Sequence, residues 1–239
     1  MAGHGLAGVA DTGAFLARLT RLDPAALVRL RRSGDRVALW GRLPWGVLVT
    51  RDVAGDQPAV GAGDSAGGVA ADVTVSAAAL LSALSGGDQA LPPRLDQQWR
   101  WPLPPVRTAR QVESVAVAEI RRLAAAAAGT LREVTATGLR GRAIGQRVVR
   151  DALLDHVALV VTAVAGDRVE IPQRLVQAVA RMGFLGPDAD SSSPADVDGP
   201  SARVYVAGRW VGLSAPYGVA WHQSVNKLTV MPIATHPFG

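Results

Sequence analysis

Residues 37–50, VALWGRLPWGVLVT, place two short runs of β-forming residues on either side of a turn-like segment. The runs VALW and GVLVT consist mainly of branched, aliphatic and aromatic side chains, which favour strands. The intervening GRLP contains the glycine and proline that often mark turns. This stretch therefore predicts a β-hairpin, the basic unit from which the rest of the fold is worked out.

A second stretch, residues 204–221, VYVAGRWVGLSAPYGVAW, resembles the first. Each contains a Gly-Arg step and then proline, an aromatic residue, glycine and valine. In each half a proline, Pro24 or Pro172, opens a predicted helix ahead of the hairpin. These matches indicate a duplicated helix-plus-hairpin unit. Pairing residues 73–84 with residues 169–179 is a rival match that excludes the first.

Several shorter elements follow from local signals. Pro24 divides an apolar pattern into helices over 11–21 and 24–32, because an interior proline breaks a helix. A short strand at 73–75 precedes Ser76, which is placed to cap a helix that ends before Gly86. A further helix is predicted over 172–182.

Two long helices are predicted in the middle of the chain. Apolar residues recur at three- and four-residue steps over 110–135, and again over about 142–165, with glycines between the two runs. This spacing predicts an antiparallel helical hairpin. The tail of the second run, residues 157–164, is rich in β-branched side chains, so a strand there is the alternative.

Together these elements predict an α+β fold with two small helix-plus-β-hairpin modules, possible duplicates, and a long antiparallel helical hairpin between them. The predicted divisions are an N-terminal module (1–96), a Trp/Pro-rich joint (97–108), the helical hairpin (109–166) and a C-terminal module (167–239). The last contains an acidic loop at 186–200.

Composition narrows the classes of protein that fit. Hydrophobic residues make up 49% of the chain, enough to bury a core. The absence of cysteine excludes disulfides and thiolate metal sites. No apolar run approaches the ~18 residues of a membrane helix, and the first residues lack the pattern of a signal peptide. A cytoplasmic protein without membrane association is expected.

Positive charge is concentrated in residues 106–150, which contain nine arginines and three glutamates. The densest part is residues 139–150, LRGRAIGQRVVR. Guanidinium groups bind phosphates and carboxylates, so DNA, RNA or an acidic protein is the predicted partner. The alternatives are a solvated face and pairing with the acidic residues at 186–198. The candidate binding residues are Arg140, Arg142, Arg147 and Arg150, with Arg121, Arg122 and Arg132 extending the surface.

The joint contains QQWRWPLPP at 97–105. In an extended segment Trp99 and Trp101 point the same way and Arg100 the opposite way. The two indole rings could stack on bases. We instead expect them to fasten the joint to a core, since two adjacent exposed tryptophans need a partner.

A small-ligand pocket near Trp210, Tyr217 and His222 is a third possibility. The four histidines lack metal-ligand spacing, and no glycine-rich phosphate loop is complete. Neither a metal nor a cofactor is therefore predicted, and no catalytic residue is assigned.

The phrases DPAALVRLRR (23–32) and APYGVAW (215–221), with the chain's length and composition, resemble the alanine-rich conserved hypothetical proteins of actinobacteria. This resemblance implies no function. The sequence predicts a non-enzymatic regulatory or architectural protein that binds nucleic acid through the basic helical hairpin. The alternative is a protein-interaction or oligomerising scaffold.

Overall fold

The structure, a computed structural model, describes residues 3–56, 72–137, 146–162, 166, 168–187 and 199–224. The fold is α+β, as predicted. The first half contains α1 (Val9–Leu22), β1 (Leu27–Ser33), β2 (Arg36–Arg42), β3 (Leu48–Ala54), β4 (Asp72–Ser76) and α2 (Ala77–Ser85). The second contains β5 (Arg110–Ala116), α3 (Val117–Thr137), α4 (Gln146–Asp155), β6 (Val157–Thr162), β7 (Arg168–Pro172), α5 (Gln173–Arg181), β8 (Ser201–Ala207), β9 (Trp210–Ala215) and β10 (Gly218–Gln223).

Eight strands form one antiparallel sheet in the order β4-β1-β2-β3-β10-β9-β8-β5, while β6 and β7 form a separate antiparallel pair. The order is symmetric about the β3–β10 pair, where Thr50 lies opposite Val219. On each side one helix, α1 or α5, is followed by three consecutive strands. The predicted arrangement of two helix-plus-hairpin modules with a long helical hairpin between them is therefore wrong, because three strands follow each helix and both halves share one continuous sheet.

The two predicted hairpin turns occupy equivalent places in this symmetric order. The turn after Arg42 joins β2 to β3, and the turn after Ala215 joins β9 to β10. The proposed match between Pro24 and Pro172 fails, because β1 follows Pro24 whereas α5 follows Pro172. The rival match pairs two strand-then-helix units, β4–α2 and β7–α5.

The helix predicted over 24–32 is the strand β1. Val28 and Leu30 are buried, while Arg29 and Arg31 lie on the other side of the strand. β1 pairs with β2 on one edge and β4 on the other, so its backbone hydrogen bonds are satisfied across the sheet. This two-sided pairing outweighs the local helical signal.

The predicted long helical hairpin is shorter than expected at both ends. Residues 110–116 form β5, which pairs with β8, and α4 ends at Asp155. Residues 157–162 form β6, as the alternative for this segment allowed. The remaining helices α3 and α4 do pack against each other. No helix of the described residues is long and apolar enough to cross a membrane.

The main core lies between one face of the large sheet and the helices, and we call this side the helical face. Phe15, Leu16 and Leu19 of α1 are fully buried there. Leu19 packs against Gly41 so closely that a Cβ at that position would lie 2.7 Å from a Leu19 methyl group. A glycine in β2 therefore sets how near α1 approaches the sheet.

The opposite face of the sheet is covered by residues 99–109, which we call the strap. Trp99 of the strap is 9% exposed and packs in a cluster with Trp40, Trp210 and Trp221 from three strands. The Trp99 indole N–H donates to the Trp101 carbonyl, at 2.7 Å. The two strap tryptophans therefore hold residues 99–109 against the sheet, as the fastening interpretation predicts.

Candidate functional site

The predicted arginine site divides into residues with different surroundings. Arg140 and Arg142 lie outside the described residues. Arg121 donates to the carbonyl oxygens of Leu185, Gly186 and Pro187, at 2.8, 2.8 and 2.6 Å. Its guanidinium thus joins α3 to the segment after α5.

The other predicted arginines are more exposed. Arg122 forms an ion pair with Glu119, one turn away on α3. Arg147 and Arg150 lie on α4 with side chains 86% and 54% exposed, and each approaches Asp151, at 3.8 and 3.5 Å. Exposed ion pairs of this kind contribute little to stability, so both guanidinium groups remain accessible to a ligand.

A groove of about 890 Å³ lies on the helical face between α1, α3, α4 and α5. The residues that α3, α4 and α5 contribute include pairs at three- and four-residue spacing, which lie on one side of each helix, whereas α1 contributes its last two residues. The lining residues are Arg21 and Leu22 of α1; Ala127, Ala128, Leu131 and Arg132 of α3; Arg147, Arg150, Asp151, Leu153 and Leu154 of α4; Gln173, Gln177 and Arg181 of α5; and Pro44 and Trp45 from the β2–β3 turn.

Positive charge predominates around this groove. Among the described residues, five arginines line it and Asp151 supplies the one carboxylate. Within the described ranges, no ion pair involves Arg21, Arg132 or Arg181. The three charges come from α1, α3 and α5. Guanidinium groups gathered around a concave surface favour a carboxylate or phosphate ligand.

Several apolar side chains line the groove, and hydrogen bonds made by other lining residues connect the elements around it. Trp45 donates its indole N–H to the Arg174 carbonyl, at 3.3 Å, and Arg174 donates to the Trp45 carbonyl, at 2.8 Å. Gln173 and Gln177 of α5 donate to the carbonyls of Leu123 and Ala124 on α3, at 3.3 and 3.2 Å. These bonds connect the β2–β3 turn, α5 and α3, which are three of the elements that line the groove.

Among the described residues, both edge strands of the large sheet are covered or irregular. At one end, Leu95 donates to the Thr74 carbonyl at 2.7 Å, and Thr74 donates to the Asp96 carboxylate at 2.6 Å, which caps β4. At the other end, β5 has a register shift after Gln111 and exposes charged side chains. Bulges and charges discourage strand addition. The groove is therefore the better candidate site for a partner.

Trp210, Tyr217 and His222 do not converge on one pocket. Trp210 packs under the strap, whereas His222 lies on the helical face of the sheet, beside Gly46 and Arg174. Tyr217 is 45% exposed at the β9–β10 turn, with its ring near Arg51. The predicted three-residue pocket is thus not formed.

His222 has an unusual environment even without a pocket. Burial, together with the positive charge of Arg174, lowers the pKa of His222 to about 4, although a hydrogen bond to the Gly46 backbone acts in the opposite direction. Its buried Nδ1 atom has no hydrogen-bond partner in the part of the chain that the structure describes. The folded protein therefore holds a neutral imidazole at neutral pH.

We expect His222 to make the protein less stable in mild acid. An unfolded histidine has a pKa near 6.5, so the unfolded chain binds the proton first as the pH falls. The contribution of His222 to stability is present above pH ~6.5 and is lost as the pH falls to about 4. Urea unfolding at several pH values should show a shallower acid decline for His222→Gln than for the wild type. Equal declines would contradict the assignment.

Comparisons with known proteins identify related sequences and folds. A family model described as Domain of unknown function (DUF8185) matches residues 104–227, and one described as Domain of unknown function (DUF8010) matches residues 5–102. The interval between the matches falls in the Trp/Pro-rich segment. No curated protein matches the chain in sequence.

Among solved structures, the fold is similar to bacterial sliding clamps. A DnaN sliding clamp (DNA polymerase III subunit beta) from Bartonella birtlesii, bound to griselimycin, is 13% identical with a TM-score of 0.52. The DNA polymerase III subunit beta from Pseudomonas aeruginosa is 13% identical with a TM-score of 0.51. Each alignment covers 91% of this chain and 63% of the clamp chain. The chain therefore spans less than two thirds of the clamps' length, and at this identity the likeness concerns the fold alone.

Proposed function

Because the chain belongs to the DUF8185 family, whose description names no activity, we propose its function from the geometry of the helical face. The protein is a protein-interaction scaffold that holds an acidic partner in the groove between α1, α3, α4 and α5. The fold supplies an eight-stranded sheet with helices packed on one side, and the groove lies between those helices.

One observation carries this proposal. Arg21, Arg132 and Arg181 surround a concave surface and have no acidic partner among the described residues. Some arginines outside the groove, such as Arg100 and Arg107, also lack an ion pair among the described residues, so what distinguishes these three is that they lie around one concave surface. Like charges that converge without compensation raise the local potential and favour an anionic ligand.

The side chains of the groove suit binding rather than covalent chemistry. The lining contributes guanidinium, amide, carboxylate and apolar groups. Guanidinium groups form bidentate hydrogen bonds with carboxylates, which adds orientation to affinity. A scaffold needs both affinity and a fixed orientation to hold its partner in one position.

Neutralising the three unpaired arginines should weaken the binding of an acidic polymer. The triple variant Arg21→Gln, Arg132→Gln, Arg181→Gln keeps a polar but shorter side chain at each position and removes three positive charges from the groove. We expect its affinity for labelled poly-L-glutamate, followed by fluorescence anisotropy at low salt, to fall at least about tenfold. The wild-type affinity should also fall as salt is added, because salt screens exposed charges.

The matched control changes the net charge by the same amount away from the groove. Arg100, Arg107 and Arg122 are exposed and do not line it. Their triple glutamine variant should bind poly-L-glutamate within about twofold of the wild type, since local geometry rather than net charge sets the affinity. Equal losses in both triple variants would show that binding depends on net charge only and would overturn the proposal.

Nucleic-acid binding by the basic helical hairpin is the second candidate function. The observation in its favour is the high exposure of Arg147 and Arg150 on α4. In the same anisotropy assay, a labelled short duplex DNA distinguishes nucleic-acid binding from binding of an acidic protein. If duplex binds more tightly than poly-L-glutamate, and Arg147→Glu with Arg150→Glu abolishes that binding, the second function replaces the first.

A further inference from the structure

The groove combines two kinds of surface that one ligand must satisfy together. Its rim is formed by arginines, and its floor by Leu22, Trp45, Leu131 and Leu153, which are partly buried, together with the buried Leu154. We propose that the occupant is an acidic amphipathic helix of a partner protein, with apolar side chains on the floor and carboxylates against the rim. This inference rests on the proposed function and specifies its partner.

The apolar floor of the groove requires apolar side chains on the ligand. Its apolar residues come from α1, the β2–β3 turn, α3 and α4, so four elements of this chain together form one apolar surface. A small anion or a purely polar chain would neutralise the arginines and leave the apolar floor in contact with water. Burial of that surface needs apolar side chains from the ligand, because apolar surface gains free energy only when water is displaced.

The arginines of the rim are placed to meet acidic residues on both sides of an apolar ligand face. Arg132 on α3, Arg150 on α4 and Arg181 on α5 lie around the same floor. A helix whose apolar face enters the groove presents its flanking residues to the rim on both sides. Acidic residues at those flanking positions would then meet guanidinium groups. An amphipathic helix thus matches both the apolar and the charged parts at once.

The volume of the groove favours a ligand that can fill the apolar floor. A groove of about 890 Å³ is large enough to receive several apolar side chains of a ligand. Duplex nucleic acid presents phosphate and sugar on its outer surface, so it could contact the rim arginines while leaving the floor unfilled.

Two designed peptides test the inference directly. Both are roughly 18 residues long, enough for a marginally stable isolated helix, and both have the same leucine and glutamate content. In one, the leucines follow i, i+3, i+4 and i+7 spacing and form a single face. In the other, the order is scrambled. We expect the full-length protein to bind the amphipathic peptide at least about tenfold more tightly than the scrambled one.

A groove-filling substitution provides the second arm. Ala128 is exposed on α3 and lines the groove, whereas Ala126 is exposed on the same helix and does not. Ala128→Trp should abolish the preference for the amphipathic peptide, and Ala126→Trp should leave it unchanged. Both variants should keep the wild-type melting temperature within a few degrees, because neither alanine is buried.

The outcomes separate this inference from the proposed function. If both peptides bind equally and binding still requires the three unpaired arginines, the scaffold function stands and the amphipathic helix is overturned. If neither peptide binds in an arginine-dependent manner, both proposals fail. A single-stranded DNA that competes for the groove more strongly than the amphipathic peptide would also overturn the inference, since Trp45 could then stack a base.

Discussion

Replacing Phe184 with alanine should lower the free energy of unfolding by about 3–5 kcal/mol, as expected when a buried phenylalanine is truncated. The Phe184 side chain is fully buried and stacks on Phe15, with ring centroids 6.3 Å apart. It also lies directly over Gly218, where a Cβ would come within 2.7 Å of the ring. The cavity left by alanine would therefore open where α1, β10 and the segment after α5 meet. Urea unfolding followed by circular dichroism measures the loss.

Two further variants sharpen this prediction. Val148 is 64% exposed on α4, and Val148→Ala should change stability by no more than about 0.5 kcal/mol. A double-mutant cycle with Phe15→Ala should show a coupling of about 0.5–1.5 kcal/mol between the stacked rings. Strict additivity of the two truncations would contradict the stacking arrangement.

Replacing Trp99 with alanine should lower the free energy of unfolding by about 3 kcal/mol, near the lower end of values for buried aromatic residues. Trp99 is 9% exposed in the cluster with Trp40 and Trp221, and it meets Trp101 edge-to-face, with ring centroids 5.6 Å apart. Arg29 lies 5.9 Å from the Trp99 ring centroid. Loss of the indole would expose the tryptophan side of the sheet to water. Thermal unfolding and indole fluorescence report the change together.

Arg100 provides the control for the Trp99 prediction, because it is the next residue and is exposed. Arg100→Ala should alter stability by less than about 0.5 kcal/mol. Trp101→Ala should fall between the two, since Trp101 is only partly buried. A loss below about 1 kcal/mol for Trp99→Ala would mean that the strap is not fastened by its tryptophans.

Elements that depend on local signals could be predicted from the sequence. Ser76 was expected to cap a helix, and its hydroxyl accepts from the Ala79 N–H at 3.3 Å at the start of α2. The 37–50 hairpin was expected from its own residues, and β2 pairs with β3 over the whole of both strands. Both depend on interactions between residues that are close in the chain, so the sequence carries the information directly.

Elements that depend on distant pairing were predicted wrongly. The segment after Pro24 has helical spacing, yet it forms β1 because β2 and β4 provide backbone partners on both edges. Residues 110–116 continue the apolar spacing of α3, yet they form β5 because β8, about 90 residues later in the chain, pairs with them. Long-range hydrogen bonding decided both cases.

The candidate site was also predicted only where its residues lie close together in the chain. The sequence indicated an arginine-rich region around α4, and Arg147 and Arg150 do line the groove. Arg21 and Arg181 were missed because they lie in different helices far from that region in the chain. Gln173, Gln177 and Arg181 recur at four-residue steps, so the sequence could have shown that they share one side of α5. It could not have shown which other helices that side of α5 packs near.

By itself, the sequence determined an α+β protein with its hairpins, the capped helix α2 and an excess of arginine. Each of these follows from composition or from contacts within a few residues. Only the tertiary structure decided that the two halves share one sheet, that the strap tryptophans cover its far side, and that arginines from α1, α3, α4 and α5 surround one apolar floor. The reason is physical: strand pairing and helix packing join residues far apart in the chain, and the free energy of those contacts outweighs local preference.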